Sequence, residues 1–153
     1  MQSPPDARMN AAPAPRAATP DDAAGIARLS GQLGYPVDAA SMAARLQQLL
    51  PRDSHFIRVA ADGPHLLGWI AAEQRLTLET GDSFEIVGLV VDRDAHRGGI
   101  GSALVAAVAD WARSRGGPRL IVRSNVVRTE SHPFYERLGF ARIKSQHVYR
   151  RDL

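Results

Sequence analysis

The run Phe84-Glu85-Ile86-Val87-Gly88-Leu89-Val90-Val91 leads into Asp92-Arg93-Asp94-Ala95-His96-Arg97-Gly98-Gly99-Ile100-Gly101-Ser102-Ala103-Leu104. The first part is apolar apart from Glu85 and Gly88, as a central strand buried on both faces would be. Downstream, Ile100, Leu104, Val108 and Trp111 recur at helical spacing and predict a helix over about 100–115. Gly116-Gly117-Pro118 stops it. A glycine-rich loop between a buried strand and a helix is an anion site. The first helical N–H groups have no partner within the helix, and its dipole adds positive potential. Glycine also permits positive φ and close approach of a phosphate. Two common nucleotide loops do not fit. No Gly-Lys-Ser/Thr follows four spacer residues, and Leu104 stands where the dinucleotide pattern needs its third glycine.

Working outward, Arg16–Ala18 reads as a short first strand. Thr19-Pro20-Asp21-Asp22 reads as a helix start, with a capping residue, proline at the first helical position and acidic residues at the positive end of the dipole. Ile26, Leu29 and Leu33 follow at helical spacing. A second helix is expected from about Asp38 to Leu50, stopped by Pro51. Residues 55–61 and 66–76 read as strands of an antiparallel meander, with turns at 62–64 and 80–82. Beyond the long helix come a short strand at 120–122 and a short helix at 131–138 ended by Gly139. A last strand pattern covers Phe140–Arg150. The Pro- and Ala-rich segment 1–15 reads as a flexible leader without the apolar core of a secretory signal.

The stretch Val90–Leu104 resembles the signature of the GNAT superfamily of acetyl-CoA-dependent N-acetyltransferases. That signature is Arg/Gln-x-x-Gly-x-Gly/Ala after a strand ending in valine. Gly99 and Gly101 fall on its two glycines, and its first position falls on His96, with Arg97 beside it. His132-Pro133-Phe134-Tyr135-Glu136-Arg137-Leu138-Gly139-Phe140 is similar to the family's second signature. The order of elements agrees, so the resemblance covers about residues 16–150. It implies an α+β fold of the α/β three-layer type: a GNAT-like mixed, mostly antiparallel central sheet, splayed in the middle and flanked by helices. Residues 16–153 would form a single N-acetyltransferase domain.

Moving an acetyl group from a thioester to an amine sets three demands. The amine must be neutral, although a free primary amine has a pKa of about 10. The carbonyl must be polarised by hydrogen-bond donors. The leaving thiolate must be protonated or stabilised. By the resemblance, acetyl-CoA is the cosubstrate, with its pantetheine arm along Leu89, Val90 and Val91. Its pyrophosphate would sit on the loop His96, Arg97, Gly98, Gly99, Ile100, Gly101 and Ser102. Asn125 resembles a position that holds the pantetheine arm, and its alternative role is a turn-forming asparagine. Tyr135 matches the residue that faces the CoA sulfur, as proton donor and cofactor contact. Glu85, the one carboxylate in the apolar strand, is the candidate base, since burial tunes carboxyl groups towards proton transfer near neutral pH. Its alternatives are a solvated side chain or an ion pair with an arginine, and by the resemblance a water chain can stand in for a single base. Gly88 signals a bulge, a close backbone approach, or packing under a large side chain. Tyr35 and His55 are weaker candidates for the acceptor pocket.

The chain of 153 residues fits one domain. It has no cysteine. That excludes disulfides and an acyl-cysteine intermediate, and favours direct attack in a ternary complex. The histidines lack metal-site spacing, so no metal is expected. The net charge is +3, from eighteen arginines and one lysine against sixteen acids. That is too weak to argue for nucleic acid, and no apolar run is long enough to span a membrane. A cytoplasmic enzyme acting on a small primary amine is expected, and a homodimer is compatible with the chain. The alternatives are a CoA-binding sensor or interaction module of the same fold without turnover, and an acetyltransferase of protein amines. His96 at the Arg/Gln position allows the sensor. Glu85 and Tyr135 together speak against it.

Overall fold

A computed structural model describes residues 12–95 and 98–153. Residues 1–11 of the expected leader, and His96 and Arg97 of the anion loop, lie outside the described residues. The chain divides into two units, one up to Arg123 and one from Ser124 to Leu153. The first unit holds β1 (Arg16–Ala17), α1 (Ala23–Gln32), α2 (Ala39–Leu49), β2 (His55–Asp62), β3 (His65–Thr77), β4 (Gly81–Val91), α3 (Ile100–Ser114) and β5 (Leu120–Val122). The second holds α4 (Ser131–Arg137). No helix among the described residues is long and apolar enough to cross a membrane.

The sheet order is β1-β2-β3-β4-β5. The first three pairings are antiparallel and β4–β5 is parallel, so the sheet is mixed and mostly antiparallel, as expected. The chain enters α1 through a tight turn. There the Asp22 carboxylate accepts the Thr19 N–H at 2.8 Å, and both its oxygens take the Arg16 guanidinium at 2.9 Å. Hydrogen bonding from Arg16 holds the Asp22 carboxyl below its ordinary value. Asp38 caps α2 by accepting the Ser41 N–H at 2.7 Å.

Alternation along β3 divides the core between the two faces of the sheet. Trp69 joins Ile26, Leu29, Leu46, Ile57 and Val90 on the α1–α2 side. Gly68 lies against Ile100 and Leu104 of α3 on the other. On the α3 side Phe84 meets Trp111 edge-on at 5.4 Å, and Trp111 stacks on Phe56 at 5.0 Å.

Two differences from the sequence reading stand out. β4 begins at Gly81, earlier than the apolar run at Phe84, because the β3–β4 hairpin keeps pairing down to Thr77 and Gly81. The Thr77 and Thr80 hydroxyls, 2.7 Å apart, close its turn. The strand expected over Phe140–Arg150 is absent: among the described residues the sheet ends with β5. A strand needs a ladder partner and a buried face. Here Ile143 and Val148 are 77% and 93% exposed.

Candidate active site

The centre of the site is a discontinuity in β4. Ala71 of β3 faces Gly88, but Ala72 faces Ile86, so Val87 is an extra residue, a bulge. The parallel pairing with β5 stops at the same point: Phe84, Glu85 and Ile86 pair with Leu120, Ile121 and Val122, and nothing further pairs. From Val87 to Val91 the β5 side of β4 carries no ladder among the described residues. The sheet therefore opens where the family resemblance implies, and Leu89, Val90 and Val91 have no ladder partner on the β5 side among the described residues. Gly88 serves two ends. It adjoins the bulge, and a Cβ there would sit 2.6 Å from Trp69 Cη2, so only glycine fits beneath the indole.

The open strand runs into the anion loop. Gly98 and Gly99 have φ of 111° and 73°, the left-handed region that favours glycine. Gly99 is the N-cap of α3, without a side-chain cap, and open space surrounds the position of its missing Cβ. The first intrahelical bond runs from the Ala103 N–H to the Gly99 carbonyl at 2.9 Å. The N–H groups of Ile100, Gly101 and Ser102 therefore precede the helical ladder and suit an anion. Ser102 is exposed, while Ile100 and Gly101 are buried.

Asp92 anchors the junction of strand and loop, although no local pattern singles it out. It is 2% exposed. Its carboxylate accepts Arg28 at 2.9 Å, the Asp94 N–H at 3.0 Å and Gln32 at 3.3 Å. The Arg93 N–H in turn donates to Gln32 Oε1 at 3.1 Å. The Asp94 amide, followed by Arg28, holds the Asp92 carboxyl down to about 2. The network ties α1 to the entrance of the loop.

Glu85 is 5% exposed, and both its oxygens are engaged. Arg75 Nη1 donates to Oε2 at 2.8 Å, and Arg123 donates to Oε1. Glu73, its register partner on β3, bonds Arg75 and His55, each at 3.3 Å. His55 is thus part of a charged cluster rather than of the cavity wall.

That cavity, of about 410 Å³, lies on the α1–α2 side of the sheet and reaches Val87 and Gly88 at the bulge. Tyr35, in the loop between the first two helices, lines it. Trp69 and Arg45 line it too, and sequence patterning missed both. Gly88 is the one local signal that a large side chain lies above the strand.

In the second unit, Asn125 makes a turn. Its side-chain oxygen accepts the Val127 N–H at 3.1 Å, and its carbonyl accepts the Arg128 N–H at 3.0 Å. Tyr135 lies on α4 between two rings, 5.1 Å from Phe134 and 5.7 Å from Phe140. Burial raises its hydroxyl above the usual tyrosine value, partly offset by the positive charge of Arg128. The phenol therefore stays protonated throughout the neutral range.

The model of the acetyltransferase (GNAT) family matches residues 26–140. The aminoglycoside N(6')-acetyltransferase type 1 of Stenotrophomonas maltophilia is 32% identical over 93% of this chain and 95% of its own. The mycothiol acetyltransferase of Salinispora arenicola is 41% identical over 44% of this chain, which spans only 22% of that protein. A solved aminoglycoside 6'-N-acetyltransferase in complex with CoA superposes with a TM-score of 0.77 at 20% identity, covering 91% of this chain and 99% of its own.

Proposed function

The chain belongs to the GNAT acetyltransferase family and is an N-acetyltransferase, and on that premise we propose that it transfers acetyl from acetyl-CoA directly to the primary amine of a small molecule in a ternary complex. One observation carries the reading. At Val87 the β4 strand loses its β5 partner, a cavity opens beside it, and the free edge runs on to the open N-terminus of α3. These residues fit acetyl-CoA. Val87–Val91 can accept the pantetheine arm as an added strand, and the N–H groups from Gly98 to Ser102 can take the pyrophosphate. His96 and Arg97 belong to the same loop by the motif. For Asn125 the pantetheine role rests on the family resemblance alone, beside the turn that its side-chain oxygen closes.

Acetyl-CoA supplies an activated thioester, whose C–S bond breaks as the C–N bond to the acceptor forms. Backbone N–H groups near Leu89–Val91 hold the carbonyl oxygen and stabilise its developing charge. By the family resemblance the Tyr135 hydroxyl gives its proton to the leaving sulfur, a role that suits a phenol kept protonated by burial. The proton leaving the nitrogen goes to Glu85 or into a water chain. The products are an amide and free CoA thiol, so atoms and protons balance. The 32% identical aminoglycoside acetyltransferase, similar over nearly its whole length, supports a small-molecule acceptor.

The test is to mix the protein with acetyl-CoA and a panel of primary amines and follow free thiol. Amine-dependent thiol release is expected. CoA binding without thiol release for any amine in the panel would favour a CoA sensor instead.

A further inference from the structure

Among the described residues, the wall of the acceptor cavity carries no aspartate or glutamate. Ile26, Leu46, Ile57 and Trp69 make it largely apolar, and its one formally charged side chain is Arg45 of α2, which is exposed. No carboxylate lies within ion-pair distance of Arg45 among the described residues. The Asp38 carboxylate feels its charge but is committed to capping α2. The acids farther along the same sheet face are also taken: Glu85 by Arg75 and Arg123, Glu73 by His55 and Arg75. A polycation placed here would leave several ammonium groups facing apolar wall without counter-charge, which desolvation opposes strongly. At about 410 Å³ the cavity also lies near the lower end of small-molecule sites.

Resting on the acetyl-transfer reading above, we propose that the acceptor is a monoamine with an apolar body and a carboxylate. The body packs on Trp69, the carboxylate pairs with Arg45, and the amine faces the β4 bulge. This differs from an aminoglycoside, the substrate in the name of the 32% identical relative. The guanidinium fork suits a carboxylate, which supplies the missing partner. The reaction is unchanged: the amine nitrogen gains the acetyl group and loses one proton, and CoA leaves as the thiol.

The experiment pairs calorimetry with thiol release, using phenylalanine, phenethylamine and kanamycin as probes on the CoA-loaded and acetyl-CoA-loaded protein. Phenylalanine is expected to bind about tenfold more tightly than phenethylamine, the difference of one charge-assisted contact. Kanamycin is expected to bind more weakly than either. Arg45→Ala should erase the preference for phenylalanine, and Arg45→Lys should restore part of it. Tighter binding or faster turnover of kanamycin overturns the proposal, as does an unchanged preference in Arg45→Ala. Phenylalanine binding through Arg45 without thiol release from any of the amines upholds the ligand class and sinks the acetyl-transfer reading. Thiol release with other amines, while phenylalanine fails to bind, does the reverse.

Discussion

Asp92→Asn should destabilise the protein in a way that depends on pH. The wild-type carboxylate is buried, holds Arg28 at 2.9 Å and the Asp94 N–H at 3.0 Å, and titrates at about 2 instead of 3.8. A lowered folded-state value means that the ionised form stabilises the fold. The contribution is fully present above 3.8 and is lost as the pH falls through about 2. The gap corresponds to about 2 kcal/mol, because one pKa unit is about 1.4 kcal/mol. The Asn variant keeps the shape but brings an NH₂ group to partners that already donate, so at least this contribution is lost. The expected loss at pH 7 is about 2 kcal/mol, or a melting point lower by about 4–8 °C for a chain of this size. Urea unfolding of both proteins at pH 7, 4 and 2.5 reads it. The difference should hold between pH 7 and 4 and shrink towards pH 2.5. A difference that is already absent at pH 7, or that does not shrink in acid, refutes the reasoning. Because Asp92 fixes the entrance to the anion loop, the variant should also raise the KM for acetyl-CoA.

Three further predictions concern the site. Tyr135→Phe should lower kcat by about tenfold or more with little change in CoA affinity; wild-type turnover across the pH range would end the proton-donor role. Gly99→Val forces a β-branched residue to a φ of 73° and covers the open helix terminus, so CoA affinity measured by calorimetry should fall at least about tenfold. Retained affinity in a folded variant would remove the pyrophosphate assignment. Gly88→Ala puts a Cβ 2.6 Å from the Trp69 ring. It should cost about 1–3 kcal/mol in urea unfolding and raise the KM for the acceptor, with both effects absent if the indole does not form the pocket wall.

The strand, loop and long helix from Phe84 to Ser114 were legible because each carries a strong local signal: an unbroken apolar run, clustered glycines, then helical spacing. The splay was legible only through the family resemblance. The bulge was hinted at by Gly88, which proved to serve both of its anticipated ends, beside Val87 and beneath Trp69. Phe140–Arg150 misled because its residues suit a strand, while strand formation depends on a neighbour that no local pattern supplies. The setting of Glu85 was half legible. An arginine partner was foreseen, but Arg75 arrives across the β3–β4 hairpin and Arg123 from the end of β5, and these pairings exist only once the sheet is assembled. Asp92 reads as an ordinary loop acid until Arg28, 64 residues earlier, folds against it. The apolar cavity wall comes from five separate elements, which periodicity cannot bring together.

The central claim is that the free edge of β4 and the open terminus of α3 together hold acetyl-CoA. Amide hydrogen exchange with and without CoA tests it most directly. Protection should rise at Leu89–Val91 and at Gly98–Ser102, with Tyr35 and Arg45 little changed until an acceptor is added. CoA binding that leaves exchange at both segments unaltered would contradict the account.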